Sequence, residues 1–152
     1  MRVSAKTDYA LRAVVELASA NGDAPVKGER LATSQAIPLR FLENILLQLR
    51  HAGLVESRRG AEGGYRLARP ASEIALADVI RAIDGPLAGV SGARPETLEF
   101  HGSSEPLRDV WVAVRAALRS VLERVTVADV AAGRLPDHVR ELLESEDAWV
   151  SH

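Results

Sequence analysis

The sequence predicts a mainly α-helical fold with one small β-hairpin: a winged helix-turn-helix followed by a long C-terminal dimerisation helix. Three observations predict it. Apolar residues at helical spacing fill 27–34 and again 38–52, with only Gln35-Ala36-Ile37 between them. A strand, a glycine-bearing loop and a second strand follow at once in LVESRRGAEGGYRLARP. Beyond an aperiodic stretch, Leu107, Trp111, Val114, Leu118, Val121 and Val125 recur at spacings of 4, 3, 4, 3 and 4, a heptad seam.

The first helix spans 4–20, with Ala10, Ala13, Val14, Leu17 and Ala18 on one side and Ser4 as N-cap. Asn21-Gly22-Asp23 and Pro25 end it. Lys6, Asp8, Arg12 and Glu16 break the apolar run at helical spacing, so it is an amphipathic helix and not a secretory core. No segment approaches the roughly 20 apolar residues of a membrane span, so a soluble, cytoplasmic protein without a membrane partner is expected.

The second helix turns Leu31 and Ala32 inward. Pro38 stands in the first turn of the third, where proline is tolerated, and Gly53 takes the position that stops it. Leu39, Leu42, Ile45, Leu46 and Leu49 form its inner stripe. Strands are expected at 54–57 and 65–67, with 59–64 as the loop and Pro70 ending the pair. A fourth helix carries Leu76, Val79, Ile80 and Ile83 and closes at Gly85-Pro86. Residues 85–105 lose all periodicity, and a loop that long usually carries a function or moves. The long helix then runs from Pro106 to about Val125. Val110, Val112, Ala117 and Leu122 lie off its seam, so it has apolar surface for both its own domain and a second subunit. Thr126 caps a short helix at 127–132, and 136–145 forms the last, with Val139, Leu142 and Leu143 inward.

Composition narrows the chemistry. The chain of 152 residues has no cysteine, which excludes disulfides, thiolate metal sites and thiol redox work. The net charge of −2 conceals a division. Residues 1–72 hold 11 Lys+Arg against 7 Asp+Glu, net +4, and 73–152 hold 8 against 14, net −6. A basic N-terminal half suits a polyanionic partner.

The outward face of the third helix centres on Arg40, Asn44, Leu47 and His51, flanked by Glu43, Gln48 and Arg50. Arg40, Glu43 and Asn44 occupy the first two turns, which a helix-turn-helix offers to the major groove. Arginine suits guanine O6 and N7, asparagine adenine N6 and N7, and glutamate cytosine N4. An ordinary solvated face has the same composition, so the residues alone leave both readings open. The glycine loop raises a separate question, because glycines beside Arg58 and Arg59 also occur in phosphate cradles. A P-loop requires Gly-Lys-Ser/Thr followed by a helix; here YRLARP, a strand ended by proline, follows instead. No nucleophile–base set or carboxylate pair has suggestive spacing, and no enzyme activity is expected.

DYALRAVVELA, PLRFLENILLQLRHAGLVESRRGAEGGYRLARP and EIALADVIRAIDGP resemble the Rrf-two family of bacterial winged-helix regulators, from Met1 to about Pro86. The long helix and TVADV extend the likeness to about Ala132. The resemblance implies a homodimeric, sequence-specific DNA-binding regulator, a repressor, that recognises a pseudo-palindromic operator in double-stranded DNA. It implies base contacts at Arg40, Glu43, Asn44 and Arg59, with helix 38–52 in the major groove and wing 58–65 at the minor groove. Lys6, Arg12, Lys27, Arg50, Arg58 and Gly60 are expected at phosphates. Iron–sulfur members carry three cysteines between the fourth and the long helix, whereas 85–105 has none, so no thiolate-held cluster follows from the likeness. Asp8 matches a carboxylate ligand of one such member, but here a solvated or paired role is expected. Glu96, Glu99, His101, Glu105 and Asp109 are weak metal-ligand candidates, and neither a metal nor a cofactor is expected.

The expected organisation is therefore a DNA-binding domain at 1–84, a loop at 85–105 in the family's effector position, a dimerisation segment at 106–132 and a C-terminal helix and tail at 133–152. The effector, whether a small molecule or a protein, is left open. A winged helix that binds only another protein is the alternative function.

Overall fold

The computed structural model describes residues 3–20 and 24–151. Its helices are α1 (Ala5–Ser19), α2 (Gly28–Gln35), α3 (Leu39–His51), α4 (Leu76–Asp84), α5 (Leu107–Leu122), α6 (Val127–Ala131) and α7 (Asp137–Leu143). Strands β1 (Val55–Arg58) and β2 (Gly64–Leu67) form the antiparallel hairpin between α3 and α4. This is the mainly helical winged fold that the patterning predicts.

Local chemistry accounts for the element ends. Ser4 caps α1, its Oγ accepting from Thr7 N at 3.1 Å. The expected terminator Asn21-Gly22-Asp23 lies outside the described residues. The α2–α3 turn closes with Ile37 N donating to Ala32 O at 2.9 Å, while Ala36 takes a left-handed conformation at φ 52°. Pro38 stands one residue before α3, and its carbonyl accepts from Phe41 N and Leu42 N, each at 3.0 Å. Gly53 follows the helix at φ 71°, a stop that favours glycine.

One core joins these parts. Leu31, Leu42, Ile45, Leu46 and Leu49 are fully buried with Ala10, Ala13 and Val14. Each buried leucine or isoleucine contributes about 1.5–3 kcal/mol relative to exposure. Val127 enters this same core, although the sequence grouped α6 with the dimerisation helix. A backbone bridge holds it there: Leu76 N donates to Val125 O at 3.0 Å, and Val127 N to Ile74 O at 2.9 Å. The chain thus leaves the N-terminal unit after α4, runs through the loop and α5, and returns at Val125.

That return corrects one seam residue. α5 ends at Leu122, three residues short of Val125, which is buried at 3% exposure beside α4. Val125 keeps the heptad spacing and its N still donates to Val121 O at 3.1 Å, but its carbonyl is taken by Leu76 N and its side chain is buried, so it offers nothing to a second subunit. Leu142 and Leu143 also differ from expectation: they are 56% and 39% exposed on α7 and not inward. The short α7 packs against the following turn, Glu146–Trp149, and so has little to cover its apolar side.

Candidate nucleic-acid interface

The amphipathicity of α3 creates the candidate face. Its inner stripe is anchored in the core, so Arg40, Glu43, Asn44, Leu47, Arg50 and His51 stand exposed. Gln48 Nε2 donates to Asn44 Oδ1 at 3.2 Å, which aligns two amide side chains along the helix. Leu47 is 43% exposed on the same surface.

The wing is paired along its own length and held beside α2 and α3 by two links. Val55 pairs with Leu67, Glu56 with Arg66, Ser57 with Tyr65 and Arg58 with Gly64. Val26 then pairs with Tyr65 on the other edge, Val26 N donating to Tyr65 O at 2.7 Å and Tyr65 N to Val26 O at 2.8 Å. The hairpin is therefore fastened to the start of α2. Arg50 Nη1 donates to Ser57 Oγ at 3.0 Å, which ties the end of α3 to β1. Arg66 bonds to Glu56 across the strands. The Val26 link had no signal in the sequence, since an isolated bridge needs neither a strand-length run nor alternation.

The glycines of the loop divide by role. A Cβ on Gly63 would lie 2.3 Å from Arg58 O, and one on Gly64 would lie 2.5 Å from Val26 O. Both positions are glycine because protein backbone already occupies the space. Gly60 faces open space and accepts from Gly63 N at 3.0 Å, closing the turn. Arg58 is the last residue of β1, which is shifted by one position from the expected 54–57, and Arg59 opens the loop as the patterning gave. Both are exposed.

Around α1 the expected phosphate residues differ. Lys6 is half-buried and Lys27 exposed at the α2 N-cap. Arg12 is already engaged. It bonds to Asp8, donates to Gln35 O at 3.3 Å and lies 5.1 Å from the Tyr9 ring centroid. The hydrogen bond to Asp8 raises the guanidinium pKa above its ordinary value. Asp8 is thus paired, as one of its two expected roles has it. Tyr9 also meets Phe41 of α3 edge-on, with centroids 5.8 Å apart. This aromatic latch between α1 and α3 was missed, because Phe41 faces away from the inner stripe of its helix.

Charge pairing separates this face from the rest of the molecule. Among the described residues, Lys27, Arg30, Arg40, Arg58 and Arg59 have no ion-pair partner. Beyond the wing, Arg69, Arg81, Arg108, Arg115, Arg119 and Arg140 are all in ion pairs. Arg94, Arg124 and Arg134 are unpaired there as well, so the uncompensated cations are enriched on α2, α3 and the wing tip, where they produce a positive potential, without being confined to them.

The α5 seam is the second surface. No residue of α5 is buried, and Leu107 and Val110 are 42% and 50% exposed. Trp111, Val114, Leu118 and Val121 are half-buried. In the loop before it, Glu96 bonds to Arg115. A backbone hydrogen bond first, and Arg115 second, lower the Glu96 carboxyl pKa. Among the described residues, no group of three or more His, Cys, Asp or Glu side chains is placed to hold a metal ion. No helix among the described residues is long and apolar enough to cross a membrane.

Known proteins share both sequence and fold with this chain. A profile of the Rrf2 family, described as "Iron-dependent Transcriptional regulator", matches residues 3–133. The "Putative HTH-type transcriptional regulator Rv1287" of Mycobacterium tuberculosis H37Rv is 54% identical over 99% of this chain and 94% of its own length. CymR, the global cysteine regulator of B. subtilis, superposes with a TM-score of 0.75 at 34% identity, covering 88% of this chain and 98% of CymR. The IscR structure from T. potens gives a TM-score of 0.68 at 33% identity, covering 100% and 93%.

Proposed function

The chain belongs to the Rrf2 family of transcriptional regulators, and we propose that within it this protein is a homodimeric repressor that grips a pseudo-palindromic operator. It is a DNA-binding regulator and not an enzyme. The cluster of unpaired cations on α2, α3 and the wing carries the finer reading. Arg40, Glu43 and Asn44 read base edges in the major groove. Arg59 enters the minor groove, whose narrow stretches attract arginine. Lys6, Lys27, Arg50, Arg58 and the Gly60 backbone contact phosphates, which set register without choosing sequence. Arg12 contributes less than the others, because Asp8 and Gln35 already hold it.

The exposed apolar seam of α5 supports a two-fold dimer, and that symmetry requires a palindromic site. Repression by occupancy of such a site, in the cytoplasm, is the reading proposed. The protein takes no thiolate-held iron–sulfur cluster, since it has no thiolate to offer.

Selection of the purified chain on random duplex DNA tests the reading. Enrichment of a palindrome whose half-sites are about one helical turn apart is expected. Recovery of no common motif would instead favour a winged helix that binds protein.

A further inference from the structure

The loop after α4 lines a crevice made of two neighbouring cavities. The larger is a cavity of about 720 Å³ between the first turn of α1, the end of α4, the loop and the second half of α5. Ile80, Leu87 and Leu122 give it apolar walls, together with Leu118, a residue of the α5 seam that faces this cavity within the subunit. The smaller, about 510 Å³, shares Gly85, Pro86, Leu87 and Arg94 with the first. Arg81, Arg115 and Arg119 line its far side.

Two charges of this crevice lack an ion pair among the described residues: Asp84, whose carboxylate is hydrogen-bonded by neutral hydroxyls at the α1 end, and Arg94, which lines both cavities. Asp84 in the larger cavity accepts from Ser4 Oγ at 2.9 Å and from the fully buried Thr7 Oγ1 at 2.6 Å. Glu96 bonds to Arg115, and Glu123 is bonded by Arg81 and Arg119. Arg94 forms no ion pair among the described residues and sees Glu96 only at longer range. It lines both cavities. An uncompensated guanidinium beside an apolar chamber suits a ligand with one anionic head and an apolar body. The larger cavity also falls within the roughly 300–1,000 Å³ of small-ligand pockets.

We propose that this crevice is a binding site for an amphipathic organic anion. Its carboxylate or phosphate head is held by Arg94, and its apolar tail lies against Ile80, Leu87 and Leu122. Ser4, Thr7 and Asp84 form a polar shelf at the α1 end. An occupant touches α1 and α4 of the DNA-binding unit and also α5, so it bridges the two parts of the subunit. The site goes beyond the regulator reading and does not rest on it, because binding is measured without DNA.

Isothermal titration of the full chain tests it with decanoate, decyl phosphate, butyrate and decyltrimethylammonium as probes. Saturable binding of one decanoate or decyl phosphate per subunit is expected, and the preferred one identifies the head group. Butyrate, which has the head without the tail, binds more weakly. Decyltrimethylammonium, with the same tail and the opposite charge, shows no saturable binding. Arg94→Gln keeps the melting temperature and weakens the preferred probe at least about tenfold. Equal affinity for the two head charges, unchanged affinity in Arg94→Gln, or no binding of either decyl anion at millimolar concentration overturns the site.

Discussion

Arg59 and Glu43 have the same claim on DNA for different reasons. Arg59 is a cation without a partner at the tip of a fastened wing, and Glu43 an exposed acceptor in the first turns of α3. Arg59→Ala and Glu43→Ala should leave the melting temperature unchanged while costing about 1–3 kcal/mol of discrimination at the bases they read. Gel-shift titrations against single-base operator variants measure that loss, and unchanged site preference in both mutants sinks the assignment. Lys27→Ala should behave differently, weakening all sequences alike and lowering the salt slope by about one. Two further residues are decided by backbone geometry. Gly63→Ala would force a Cβ to 2.3 Å from Arg58 O, and should destabilise the wing by about 1–3 kcal/mol. Ala36 is left-handed at φ 52°, so Ala36→Gly should raise stability by about 1 kcal/mol in chemical denaturation.

Among the elements, α5 and the short α7 are left incompletely covered by the single chain, and α5 carries the heptad seam. Val114→Glu should therefore shift the protein to a monomer in light scattering while its helical circular dichroism persists. A dimer that survives this charge would move the interface elsewhere. The return segment shows the opposite behaviour, since a short element is tied tightly. Thr126 and Asp129 cap α6 reciprocally, with Thr126 N donating to Asp129 Oδ2 at 2.8 Å and Asp129 N to Thr126 Oγ1 at 3.1 Å. The Thr126 backbone bond first, and its hydroxyl second, hold the Asp129 pKa below the ordinary 3.8. A depressed carboxyl contributes stability that is present above its unfolded pKa and is lost as pH falls through the lower folded value. Asp129→Asn should thus lower the melting temperature at neutral pH, and the gap to wild type should narrow below about pH 4. A gap independent of pH would show that the cap acts without its charge.

Across the whole molecule, ion pairing divides the positive charge into a silent part and an active one. The surface pairs of the C-terminal half contribute little stability, about 0–1 kcal/mol each. They nonetheless neutralise most arginines of an already acidic half, leaving Arg94, Arg124 and Arg134, and the larger share of the unpaired cations lies on the proposed DNA-facing side. Operator affinity should consequently fall steeply and linearly on a log–log plot against salt. A flat dependence would remove phosphate contacts as the source of affinity.

Helix existence, the inner stripes, the Ser4 cap and the hairpin were legible in the sequence, because each depends on periodicity or on one residue's chemistry within a few positions. The glycine loop was legible as a turn, but not the reason for its glycines. Gly64 answers to the Val26 carbonyl, 38 positions earlier. The candidate reading face was legible as exposed, since α3 has only one apolar side. Its pairing state was not legible. Arg12 and Arg40 look alike in sequence, and only packing brings the Gln35 carbonyl to the first. Val125 marks the same limit, because its heptad spacing is genuine and a long-range bridge overrides it. By itself the sequence determined which segments are helix or strand, which sides they bury and that no thiolate chemistry is available. The tertiary structure decided which cations remain unpaired, how the wing is fastened and where Arg94 meets an apolar chamber, because each depends on atoms brought together from distant parts of the chain.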